Sequence, residues 1–126
     1  MRTKYKDKTF LQGVNYCLEG ISQTFKNERN FRIEVILGII AVIASFILKI
    51  SLVEWVIIVF MINMVLVLEL INTAFESMVD LYTQEYNKIA KVTKDVIAGA
   101  VLVTCLFSLV IAFLIFAPKI IELINK

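Results

Sequence analysis

The chain has 126 residues, 60% of them hydrophobic, with a mean hydropathy of +0.84. Charged side chains make up 19%, 13 basic against 11 acidic, and histidine is absent. A water-soluble domain of this length buries only about two-thirds of its unfolded surface, too little to hide so much apolar side chain, which excludes a soluble globular enzyme and, more firmly, intrinsic disorder. One all-α integral membrane domain over residues 1–126 remains.

In chain order, apolar residues first recur at Phe10, Val14, Leu18, Ile21 and Phe25, steps of three or four, with Gln12, Asn15, Glu19, Gln23 and Lys26 opposite. This spacing predicts an amphipathic helix over about 9–27. Flanked by Lys4, Lys6 and Lys8, it is expected to lie on the anionic, cytoplasmic membrane surface; a bundle helix packed by its apolar face is the alternative. The polar interruptions leave no apolar core for a cleavable signal peptide, and no Met-Gly acylation motif is present.

Val35–Leu48 follows, fourteen residues without a charge. That length gives about 21 Å of helix against a hydrocarbon core of about 30 Å. The span therefore needs Arg32, Ile33 and Glu34, or the Ile50–Val53 region, to cross, and a helix over about 29–49 is expected. Lys49–Glu54 is the candidate turn. Trp55–Leu68 is again fourteen uncharged residues, with the helical pattern continuing through Glu69, Glu76 and Asp80, so the second span is placed in a helix over about 53–81. Residues 82–95 are polar, a surface loop or helix extension. Val96–Ala117, twenty-two uncharged residues, is the third span, in a helix over about 91–117 that Pro118 is expected to end.

With three spans, the N-terminus and the 82–95 loop share one side. That side collects ten Lys/Arg, and Lys49, Lys119 and Lys126 fall on the other. The positive-inside rule places the ten in the cytoplasm of a multi-pass plasma-membrane protein. Cys17 and Cys105 read as small hydrophobes, and neither a Cys/His zinc site nor a phosphate-binding glycine motif is available. No nucleic-acid partner is expected.

The chemistry-bearing stretch is Glu69-Leu70-Ile71-Asn72-Thr73-Ala74-Phe75-Glu76-Ser77-Met78-Val79-Asp80. On a helix Glu69, Asn72, Glu76 and Asp80 share one face. A solvated helix end accounts for Asp80 but poorly for Glu69, which directly follows Val65–Leu68. A carboxylate at a hydrocarbon boundary costs a few kcal/mol unless paired, hydrated or metal-bound. Glu28, Arg32 and Glu34 stand before the first span, and Lys94 and Asp95 before the third. Carboxylates with an amide oxygen suit Mg²⁺ bound to a substrate phosphate, a cation counters phosphate charge, and a further carboxylate accepts a hydroxyl proton. These are the parts of phosphoryl transfer. They equally suit an oligomeric proton or cation channel or transporter, although Thr104 and Ser108 are the third span's only polar side chains, and the middle span offers just Asn63 below Glu69.

That stretch closely resembles the signature of the prokaryotic diacylglycerol kinase / undecaprenol kinase family. Asn27-Glu28-Arg29-Asn30-Phe31-Arg32, Glu85-Tyr86, Ala90, and Lys94-Asp95-Val96 through Gly99-Ala100-Val101 resemble it too, so the likeness spans about residues 10–115. The resemblance implies a homotrimer, each subunit with a surface helix and three transmembrane helices, and active sites shared between subunits at the cytoplasmic membrane boundary. Sharing is also expected physically, since so small a chain cannot enclose an ATP site and a lipid site alone. The implied activity is transfer of the γ-phosphoryl group of Mg²⁺-bound ATP to a lipid hydroxyl. On matching positions, Glu69 is implied as general base facing the lipid hydroxyl, and Asn72 as orienting the reacting groups. Glu28 and Glu76 are implied as holding Mg²⁺ on the nucleotide phosphates. Lys94 and Asp95 are implied as nucleotide contacts, with Asp80 and Glu34 near the nucleotide and Arg32 a weaker polar contributor.

Leu18-Glu19, Phe75 and Asn87 depart from residues common in the family without touching these roles. The Leu-Ile-Asn-Thr and Lys-Asp-Val wording resembles the Gram-positive branch, which implies undecaprenol rather than diacylglycerol as acceptor.

Overall fold

The structure, a computed structural model, describes residues 9–126; the Lys4, Lys6 and Lys8 flank lies outside them. Thr9 opens the first helix, α1 (Phe10–Asn27), through a reciprocal cap in which its hydroxyl accepts from Gln12 N–H and Gln12 Oε1 accepts from Thr9 N–H. No residue of α1 is buried, and its apolar stripe of Phe10, Val14, Leu18, Ile21 and Phe25 stays exposed. Such a face suits a membrane interface.

One extended residue, Glu28, separates α1 from α2 (Arg29–Ile47). Arg32 secures this corner by donating from Nη1 to the Phe25 and Lys26 carbonyls at 2.9 and 2.8 Å. Helix C-termini leave such carbonyls without partners, and a guanidinium is well placed to take them. Phe31, 4% exposed, packs edge-to-face on Phe25 at 6.5 Å. The expected option of extending the first span backward through Arg32 and Glu34 is the one realised.

α2 closes through Lys49, whose φ of 51° is left-handed, and Ile50 N–H donates to Ser45 O at 3.3 Å. Ser51 then caps α3 (Leu52–Tyr82) in a second reciprocal box with Glu54. After residues 83–87, Asn87 caps α4 (Lys88–Ile124) by accepting from the N–H groups of Ile89 and Ala90.

Two expected boundaries move. The polar stretch 82–95 is a loop only over 83–87, because Lys88 onward already belongs to α4. Pro118 does not end the third span: the helix runs on to Ile124. Proline forfeits one backbone hydrogen bond, a loss that a long membrane helix anchored on both sides of it tolerates.

α2, α3 and α4 are each long and apolar enough to cross a membrane, so the chain is a multi-pass membrane protein. α3 packs along α4 and α2, and α1 lies on α2 and touches α3. The small core of Ile50, Ile58 and Ile115, ringed by Trp55, Ile62 and Phe116, sits at the end away from α1. Lys119 Nζ and Glu54, 3.3 Å apart, tie α4 to α3 at that end. With 31 residues, α3 is about 46 Å long and exceeds the hydrocarbon core by several turns. Starting from Leu52, about 20 residues complete a crossing, which puts Asn72 near the boundary and Glu76 and Asp80 beyond it.

Candidate functional site

The α3 face predicted to carry acids does so. Glu69 is 2% exposed and Asn72 7%, and both are buried by helices packed against α3. Asn72 Nδ2 donates to Glu76 Oε1 at 3.4 Å, and its amide also reaches Glu69. Its Oδ1 is buried without a partner. The Thr73 hydroxyl donates to Glu69 O at 3.0 Å, leaving the Glu69 carboxylate itself for the site.

Three further carboxylates act on Glu69 electrostatically. Glu28, fixed at the corner between α1 and α2, and Glu76, two turns along α3, both act on it electrostatically. Glu34 on α2 does so from the membrane side. Glu34 Oε1 accepts from the Cys105 thiol at 3.8 Å, while Oε2 is buried with no partner. Like charge acting on a buried carboxylate is a cost that a cation nearby offsets.

Farther out, Lys94 Nζ meets Asp80 Oδ1 at 2.6 Å and also feels Glu76. Lys91 Nζ meets Asp95 Oδ2 at 2.6 Å, both side chains more than half exposed. The structure thus brings Glu28, Glu34, Glu69, Asn72 and Glu76 together and sets Asp80 with Lys94 next to Glu76. Asp95 faces its own helix neighbour, and Arg32 spends its guanidinium on the end of α1.

Toward the membrane interior an apolar groove of about 310 Å³ runs between α2, α3 and α4. Glu34 and Cys105 stand at one end and Ala44, Ile58 and Phe116 at the other. Gly38 lets α2 approach α3 here: a Cβ on it would lie 3.2 Å from Ile62 Cγ2. Sequence reasoning missed this groove and the Cys105–Glu34 contact, since both arise only when α2 and α4 dock 71 residues apart in the chain. It also missed the Arg32 cap, for which an arginine a few residues past a predicted helix end was the available signal.

Acids acting on a buried glutamate, with lysines of the α4 start beyond them and an apolar groove on the other side, suit chemistry on an amphiphile. Residues 15–116 match the family described as prokaryotic diacylglycerol kinase. The chain belongs to this family. Among its relatives, the undecaprenol kinase of Bacillus subtilis is 39% identical over 87% of this chain and 89% of its own length. A diacylglycerol kinase of Synechocystis is 33% identical over 90% of this chain and 65% of its own. The Escherichia coli diacylglycerol kinase is 25% identical over 79% and 82%. Membership makes the protein a lipid kinase at the family level, a phosphotransferase working with ATP and Mg²⁺.

The residues present fit that metal. Among the described residues no three acidic, thiol or imidazole groups gather to hold an ion unaided. Mg²⁺, however, commonly takes one or two carboxylates and completes its shell with substrate phosphates and water. Glu28 and Glu76, which both act electrostatically on Glu69, would provide two such carboxylates, and Asn72, hydrogen-bonded to Glu76, has an orphaned Oδ1 as a further oxygen.

Proposed function

We propose that this protein transfers the γ-phosphoryl group of ATP to the hydroxyl of undecaprenol, giving undecaprenyl phosphate. The observation that carries the reading is Glu69: a carboxylate 2% exposed in a membrane protein, under the electrostatic influence of Glu28, Glu76 and Glu34, the last of which lines one end of the apolar groove. A polyprenol brings a primary alcohol on a hydrocarbon chain, so its hydroxyl belongs at Glu69 and the chain in the groove. Undecaprenol is preferred over diacylglycerol because the relative named undecaprenol kinase is 39% identical, against 33% for the Synechocystis diacylglycerol kinase.

In this reading Glu69 accepts the hydroxyl proton as the lipid oxygen bonds to the γ-phosphorus. The bond from that phosphorus to the β,γ-bridging oxygen breaks to release ADP, and burial keeps competing water away. Asn72, bonded to Glu76, orients the reacting groups. Glu28 and Glu76 would hold Mg²⁺, and the ion would supply charge neutralisation for the nucleotide phosphates. Lys94 takes phosphate, Asp95 the ribose or base, and Asp80 borders the nucleotide, while Glu34, implied near the nucleotide by the resemblance, lines the groove and borders the lipid instead. The catalytic sites are shared between subunits of a homotrimer, and the N-terminus and the 83–87 loop face the cytoplasm.

The test is phosphorylation with radiolabelled ATP in mixed micelles, offering undecaprenol and diacylglycerol in parallel. Faster labelling of undecaprenol is expected; preference for diacylglycerol would overturn the acceptor, and labelling of neither would overturn the kinase.

A further inference from the structure

The first two turns of α4 carry more positive charge than the proposed function uses. Lys88, Lys91, Lys94 and Asp95 fall within about 120° of the helix circumference, because steps of three, six and seven residues return to nearly one side. Two of these lysines are held by carboxylates: Lys94 by Asp80 across the α3–α4 interface, and Lys91 by Asp95 one turn along its own helix, each at 2.6 Å. Both pairs are solvated, with side chains 38–62% exposed. Solvated pairs of this kind contribute little and exchange readily. A polyphosphate concentrates more negative charge than a single carboxylate and forms charge-assisted hydrogen bonds with ammonium groups, so it competes well for both lysines.

We propose that Lys91 is a second phosphate-binding cation of the nucleotide site, exchanging Asp95 for the nucleotide as Lys94 exchanges Asp80. The helix sets the order of contacts. α4 runs from the cytoplasmic loop toward the membrane, so Lys91 stands one turn, about 4.5 Å, farther from Glu69 than Lys94 does. Lys94, which already feels Glu76, therefore serves the phosphates nearest the transfer, and Lys91 the phosphate nearest the nucleoside. The same exchange releases the Asp95 carboxylate at the moment a ribose hydroxyl arrives to use it.

This inference rests on the kinase reading, and the experiment separates the two. Full-length protein in neutral mixed micelles is assayed with ATP as varied substrate and ADP as inhibitor, comparing wild type, Lys91→Gln, Lys91→Arg and, as a remote control, Lys126→Gln. Lys91→Gln is expected to raise KM for ATP and Ki for ADP together, about five-fold, with kcat nearly unchanged, and Lys91→Arg to recover most of the loss. A merely structural ion pair would instead change thermal stability and leave the KM-to-kcat pattern alone. Unchanged KM overturns the proposal. So does a defect seen only in vesicles of anionic phospholipid, which would assign Lys91 to a lipid headgroup phosphate. If wild type phosphorylates neither lipid, the kinase reading falls, and equilibrium dialysis of ATP against wild type and Lys91→Gln still decides Lys91.

Discussion

At the scale of single residues, Glu69 dominates. A carboxylate at this depth costs a few kcal/mol, and its surroundings add like charges instead of a lysine or arginine. Replacing it with glutamine keeps the shape and removes the base. Glu69→Gln is expected to fold and assemble like wild type by size-exclusion chromatography in detergent, while phosphate transfer falls at least about 100-fold; near-normal turnover would remove Glu69 from the reaction. Glu28→Gln and Glu76→Gln should act differently, moving the Mg²⁺ titration of activity to higher concentration. An unchanged titration in both would take the metal away from this pair. The stripe Glu69, Asn72, Glu76 and Asp80 was legible because one helix carries all four, so spacing alone decides their common face. The partners were not: Cys105 on Glu34 and Lys94 on Asp80 need separate helices to dock in one register.

At the scale of elements, the corners decide where the acids stand. Glu28 is placed to act electrostatically on Glu69 because α1 and α2 meet at one extended residue and Arg32 ties off the α1 carbonyls. The family resemblance implies Arg32 as a weaker polar contributor at the nucleotide; in this structure its hydrogen bonds run to the backbone behind it. At the opposite end, Lys49 closes α2 with a left-handed backbone, unfavourable by about 1–2 kcal/mol for a residue with a Cβ. Glycine adopts it freely, so Lys49→Gly is expected to raise the unfolding midpoint in detergent, with a gain of about 1 kcal/mol and no change in activity. A lowered midpoint would mean that the Lys49 side chain itself holds the turn. The continuation of α4 past Pro118 belongs here as well: a proline rule derived for helix ends failed where a long apolar helix precedes the proline and Lys119, paired with Glu54, ties down the turns that follow.

At the scale of the whole molecule, three spans put the 83–87 loop and the far end of α4 on opposite sides. By the positive-inside rule, the distribution of Lys and Arg supports our proposal that this loop faces the cytoplasm. In a background with Cys17 and Cys105 replaced by serine, a membrane-impermeant maleimide should label Glu122→Cys in intact cells and leave Gln84→Cys unlabelled until the membrane is opened. The reverse pattern would invert the topology and with it the side on which nucleotide enters. A helical trio this slender leaves Glu69 covered on the α2 and α4 sides and most apolar side chains exposed, as a bilayer or neighbouring subunits require.

The sequence by itself determined that the protein lives in a membrane, how many times it crosses, and which helix face carries the acids. Those properties depend on composition and on the 3.6-residue period, both local. Tertiary structure decided what surrounds that face. The convergence of Glu28 and Glu34 on Glu69, the groove below them and the lysine–carboxylate pairs above depend on helix docking. Docking is set by side-chain volumes such as the missing Cβ of Gly38 against Ile62, which no periodicity in the chain reveals.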